Sequence, residues 1–248
     1  MPIHLQREVE RLKKGLLSLC AVVEDQVQLA IEAFLQRDDA LALVVERRDS
    51  EVDQREVEVE EECLKMLALY QPVATDLRLI VAVLKINNDL EQIGDLAVNI
   101  ARKAAAVAAE PPPDIPLDIA GMWAKVQAML RDSLDALVNM NARLAEDVYG
   151  RDDEVDRLKH EMRVKIEAAS RRQPELISRL LKFLAVSRNL ERIADYSVNI
   201  AEDVIYMVNG AIVRHRERNE PRFRDPHSRA ELAAPTVNGQ SRCARGNL

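Results

Sequence analysis

Apolar residues recur along this chain at spacings of three and four, as in Leu90, Ile93, Ala97 and Ile100, with charged residues on the remaining faces. That is the period of an amphipathic α-helix. Six stretches carry it and predict helices over about 3–36, 39–69, 73–108, 117–147, 150–172 and 174–210, punctuated by Asp38-Asp39, Gln71-Pro72, Gly150 and Pro174. A short break just ahead of Asp49 and of Asp152 is a further expectation. Beyond about residue 214 the pattern gives way to an Arg-, Pro- and polar-rich stretch with too little apolar surface to offset ordering entropy, so 214–248 reads as a disordered tail.

The helical pattern occurs twice. LEQIGDLAVNIA at 90–101 and LERIADYSVNIA at 190–201 agree at eight of twelve positions. Gln71-Pro72 recurs as Gln173-Pro174, and Asp49-Ser-Glu-Val-Asp53 as Asp152-Asp-Glu-Val-Asp156, in the same order and at nearly the same offset. This is a tandem duplication with small deletions. Pro111, Pro112, Pro113 and Pro116 remove backbone donors and fix φ, so no helix continues through them. The expected organisation is a first three-helix repeat at 1–110, a Pro-rich linker at 111–116, a second repeat at 117–213 and the tail.

Composition narrows the field. Only 7 Gly and 3% aromatics leave little material for a sandwich or barrel, which supports an all-α chain. The 35 Lys and Arg stand against 42 Asp and Glu, a formal charge of -7, and no basic cluster dominates, so nucleic acid is not an expected partner. The longest apolar runs, Leu79–Leu84 and Ala104–Ala109 among them, are far shorter than the roughly 20 residues of a membrane span. The charged N-terminal segment does not read as a signal peptide, and the cytoplasm is the expected compartment. Cys20, Cys63 and Cys243 form no CxxC pair and read as core or incidental thiols.

Four carboxylate pairs at i, i+4 stand out: Asp49 and Asp53, Glu91 and Asp95, Asp152 and Asp156, Glu191 and Asp195. Like charges at this spacing destabilise a helix by roughly 0.2–0.5 kcal/mol unless a cation intervenes. If the second and third helices of each repeat pack side by side, two pairs face one metal group, and hard oxygen donors suit such a cation. Asn99 and Asn199 lie one turn beyond, as supporting residues. The plainer alternative is a solvated face paired with Arg or Lys. No Glu-x-x-His, His-Glu-x-x-His, Gly-rich phosphate loop or nucleophile arrangement is present, so catalysis has little support, although a carboxylate-bridged metal store or metalloenzyme is the competing class.

Gln71-Pro72-Val-Ala-Thr-Asp76-Leu-Arg78, the Asp89-Leu-Glu91-Gln-Ile-Gly-Asp95 stretch with Asn99, and the second Leu190-Glu191-Arg-Ile-Ala-Asp195 with Asn199-Ile-Ala-Glu202 resemble the PhoU family over about 5–210. The resemblance implies two tandem pseudo-symmetric three-helix bundles and a non-enzymatic cytoplasmic regulator, recruited to the inner face of the membrane through its partners. Those partners would be the ATPase of a phosphate-specific ABC transporter and a sensor histidine kinase. The regulator would repress the phosphate-starvation response and restrain phosphate uptake. The resemblance also implies iron or zinc, as a multinuclear cluster, on the four pairs above, and a homodimer. Gln92 stands where the family usually has Arg, and Tyr196 where it often has His.

Overall fold

A computed structural model describes residues 3–109 and 115–210. Within them run α1 (Ile3–Gln36), α2 (Asp39–Tyr70), α3 (Thr75–Ala108), α4 (Ile119–Asn139), α5 (Ala142–Val148), α6 (Asp152–Arg172) and α7 (Ile177–Asn209), with one 3-10 turn at Pro174–Leu176. The described residues are all-α, as expected. Two tandem pseudo-symmetric three-helix bundles are formed, one by α1, α2 and α3 and one by α4, α7 and the broken helix α5–α6. All seven helices belong to one compact unit. Most of the expected linker and the whole expected tail lie outside the described residues. No helix among the described residues is long and apolar enough to cross a membrane.

One expected element is wrong. The helix predicted over 117–147 ends at Asn139, because Met140 takes a left-handed conformation with φ 49° and Asn141 begins a new helix. The first bundle makes the same corner at Arg37, φ 58°, followed by Asp38. In both, the side chain after the left-handed residue caps the next helix: Leu41 N donates to Asp38 Oδ1 at 2.9 Å and Leu144 N to Asn141 Oδ1 at 3.2 Å. Each cap contributes about 1 kcal/mol and fixes where the chain turns. The break expected ahead of Asp152 is present between α5 and α6, whereas α2 runs unbroken past Asp49.

The duplication extends to the core, position by position. Buried Leu16, Leu19, Cys20, Val23, Val27, Ile31 and Phe34 of α1 correspond to Ile119, Met122, Trp123, Val126, Leu130, Leu134 and Leu137 of α4. Ala42, Val45, Val52, Val59 and Cys63 correspond to Ala145, Val148, Val155, Met162 and Ile166, and Leu90, Ile93, Ala97 and Ile100 to Leu190, Ile193, Ser197 and Ile200. Burying one such aliphatic side chain contributes about 1.5–3 kcal/mol, so this shared stripe is the main source of stability in both bundles. Burial also pushes the Cys20 and Cys63 thiols up to about 12, as inert core positions.

The bundles join chiefly where α3 and α7 pack antiparallel. Arg78 lies against Gly210, Lys85 Nζ is 3.3 Å from Asp203 Oδ1, the Tyr196 hydroxyl donates to Gln92 Oε1 at 3.4 Å, and Lys182 Nζ donates to the Ala106 carbonyl at 2.9 Å. Steps of seven and fourteen along α3 are matched by equal steps back along α7, the heptad spacing of an antiparallel coiled-coil seam. Asp203 is buried, and the Lys85 ammonium also lies 5.3 Å from the centroid of the Tyr206 ring.

Within the first bundle α2 and α3 approach closely at Gly94, where an added Cβ would sit 3.1 Å from Val52 Cγ1. A large side chain has no room there. Gly94→Leu is expected to push α2 away from α3 and to lower stability by about 1–3 kcal/mol, read as a lower urea midpoint at unchanged slope; an unmoved midpoint would show the contact to be slack.

Candidate functional site

Val52, buried, sits between Asp49 and Asp53 on α2 and packs beside Gly94, which sits between Glu91 and Asp95 on α3. Burying the residue between two acids on each helix turns both acidic pairs to the same edge of the α2–α3 interface. The charges of the two pairs act on one another. Partial burial, followed by the charges of Asp53 and Asp95, raises the Asp49 carboxyl above its ordinary range, against a hydrogen bond from Gln26 and the more distant Arg102. Glu91 is raised by burial and by Asp95, Asp53 and Asp49, with a bond from Gln92 acting the other way. The structure thus brings Asp49, Asp53, Glu91 and Asp95 into one cluster.

A fifth carboxylate belongs to it that sequence reasoning missed. Glu56 is raised by burial and by Glu60, Glu91 and Asp53. Its spacing carried the signal, since 49, 53 and 56 are steps of four and three along one helical face. Two buried amides support the cluster. Gln26 Nε2 on α1 donates to Asp49 Oδ1 at 3.3 Å, and Asn87 Nδ2 on α3 donates to Glu56 Oε1 at 2.8 Å. Both side chains are 1% exposed, and both leave their own oxygens, Gln26 Oε1 and Asn87 Oδ1, buried without a hydrogen-bond partner. An unpartnered buried amide oxygen costs about 1–3 kcal/mol.

The second bundle repeats the frame, with buried Val155 between Asp152 and Asp156 on α6 and Ala194 between Glu191 and Asp195 on α7. Shielding of its carboxyl, then Glu191 and Asp156, raise Asp195 to about 6, against the pull of Lys159. Lys159 stands inside this cluster, its Nζ 2.6 Å from Glu191 Oε1 and 3.4 Å from Asp156 Oδ1. Burial works against its charge, but those two bonds outweigh it and hold the ammonium above its usual range. Asn99 and Asn199 lie one helical turn beyond Asp95 and Asp195, exposed and half-buried respectively.

Chemically, both clusters are carboxylate arrays at the edge of a helix interface. Among the described residues no group of three or more His, Cys, Asp and Glu side chains is placed so that it could hold a metal ion as it stands. The donor set of the first cluster nevertheless fits a hard cation: it is all oxygen, and its two orphaned amide oxygens are themselves acceptors.

Comparison with known proteins follows the same two halves. The PhoU domain model matches residues 16–104 and 119–204, boundaries that coincide with the corresponding positions Leu16 and Ile119. The phosphate-specific transport system accessory protein PhoU homolog of Pseudomonas aeruginosa is 38% identical over 209 residues, 84% of this chain and 86% of its own length. The homolog from Aquifex aeolicus is 37% identical over 218 residues, 88% of this chain and 99% of that one. Among solved structures, the crystal structure of PhoU from Pseudomonas aeruginosa superposes with a TM-score of 0.81 at 37% identity, covering 83% of this chain and 99% of that one. That of the phosphate transport system regulatory protein PhoU from Streptococcus pneumoniae gives 0.78 at 26% identity, covering 84% and 99%.

If the pairs are mutually repelling charges, neutralising one member relieves strain. In chelator-treated protein Glu91→Gln is expected to raise the urea midpoint, by about 0.2–0.5 kcal/mol per relieved neighbour; a fall in the midpoint would show that the Glu91 charge anchors the fold.

Proposed function

This chain belongs to the PhoU family, and on that footing we propose that it is a non-enzymatic accessory and regulator of phosphate-specific transport. In this reading it binds the ATPase of a phosphate ABC transporter and a sensor histidine kinase, represses the phosphate-starvation response when phosphate is plentiful, and restrains uptake. It does so from the cytoplasm, as a homodimer built of two repeats, residues 1–110 and 117–213. The observation that supports it most is the joint match of both halves in sequence, and of the whole in fold, to proteins named for phosphate transport accessory and regulatory roles.

The geometry supplies a physical route. Two bundles locked along α3 and α7 present long helical faces, and an adaptor shifts a partner's equilibrium only by binding its two states unequally. A metal shared between α2 and α3 would tie two of those faces together. Asp49, Asp53, Glu91 and Asp95 would hold it in the first repeat, and Asp152, Asp156, Glu191 and Asp195 are the corresponding candidates in the second, with Asn99 and Asn199 supporting. Of iron and zinc, the all-oxygen donor set suits iron, since zinc sites draw mainly on Cys and His.

Two measurements check the reading together. Deleting the gene is expected to leave phosphate-starvation promoters active in high phosphate, and the purified protein is expected to bind both the transporter ATPase and the cytoplasmic part of the kinase in a surface-resonance assay. Promoters that stay silent in the deletion strain, with no binding to either partner, would reject it.

A further inference from the structure

The pseudo-symmetry allows the two carboxylate clusters to be compared position by position, and the supporting residues differ in a consistent direction. Glu56 of the first repeat corresponds to Lys159 of the second, the same three residues beyond Asp53 and Asp156. Gln26, whose amide oxygen is buried and unpartnered, corresponds to Met129, which is 1% exposed and has no hard donor. Asn87, whose amide oxygen is likewise unpartnered, corresponds to Ser187, whose hydroxyl is already bonded to the Leu184 carbonyl at 2.9 Å. The first cluster therefore gathers five carboxylates and two idle amide oxygens. The second keeps four carboxylates, loses both amides and gains an ammonium.

We propose that the two repeats have divided roles, with the first cluster (Asp49, Asp53, Glu56, Glu91, Asp95, Gln26 and Asn87) taking a hard multivalent cation and the second holding its cation covalently, as the Lys159 side chain. This rests on the metal-binding reading above and assigns it to one repeat. Lys159 Nζ, within bonding distance of both Glu191 and Asp156, occupies the space between α6 and α7 that a metal would need and neutralises part of the charge that would attract it. The cation that acts on Asp49 is Arg102, whose side chain is mostly exposed and lies 3.9 Å from Glu46 Oε2. Gln26 and Asn87 turn their NH2 groups to carboxylates and keep oxygens in reserve, which explains two buried polar atoms that otherwise carry only a penalty.

The test is an anaerobic titration of the full, chelator-stripped chain with ferrous iron, with bound iron per chain counted by mass spectrometry after desalting. The wild type is expected to retain iron, Glu56→Lys to lose it or to bind about tenfold more weakly or worse, and Glu191→Gln/Asp195→Asn to retain the wild-type amount. Lys159→Glu is expected to add a second equivalent, while Lys159→Arg, which keeps the charge, leaves the count unchanged. Glu56→Gln and Lys159→Met stand in where a charge reversal disturbs the helical circular dichroism. Iron lost in the Glu191→Gln/Asp195→Asn protein, or no gain in Lys159→Glu, would overturn the division of roles while leaving metal binding in place. A wild type that retains no iron at all would overturn both.

Discussion

The structure depends on the antiparallel packing of α3 against α7. α3 contacts α1 and α2 on its own side and α7 across the seam, so it is buried on nearly every face, and small residues at Ala82, Gly94, Ala97, Ala101 and Ala104 let its neighbours come close. Without that seam each bundle would expose the apolar flank of its third helix to water. The seam also carries its own register marks, since Lys85 with Asp203 and Gln92 with Tyr196 are one heptad apart. A buried carboxylate such as Asp203 requires charge or hydrogen-bond partners, and that requirement constrains alignment more than it adds stability.

The acidic clusters follow from the same packing. Gly94 admits Val52, and that contact sets the two acidic pairs of the first bundle beside one another. Crowding like charges at a helix interface opposes folding, and the hydrophobic stripe beneath them, repeated in both bundles, offsets it. The two repeats then meet the residual repulsion differently: the first leaves five carboxylates facing each other, and the second inserts an ammonium.

Most of the fold could be read from the sequence because its signals are periodic. The 3.6-residue stripes gave the helices, and the repeated Glu-x-x-x-Asp and Asp-x-x-x-Asp motifs gave the duplication and the acidic pairs. Most of what escaped was aperiodic. The corner at Met140-Asn141 lacks glycine and proline, so it reads as helix; only alignment with Arg37-Asp38 exposes it, and at that corner the two repeats share geometry without sharing residues. Glu56 was hidden among the many acids of α2, and the significance of Lys159 depends on a neighbour on another helix. Gln26 and Asn87 carry no motif, and a buried amide with an idle oxygen is visible only once tertiary packing is known.

The heptad matching of α3 and α7 also limits how this molecule can move. Sliding one helix past the other by a single residue would set Lys85 against Glu202 or Val204 and move the cross-seam bonds off their partners together, so intermediate positions are all poor. The next matched alignment lies seven residues away, roughly 10 Å along the helix axis. Translation along the seam is therefore disfavoured. Any rearrangement that keeps the seam matched must then be a change of angle between α3 and α7 rather than a displacement along them.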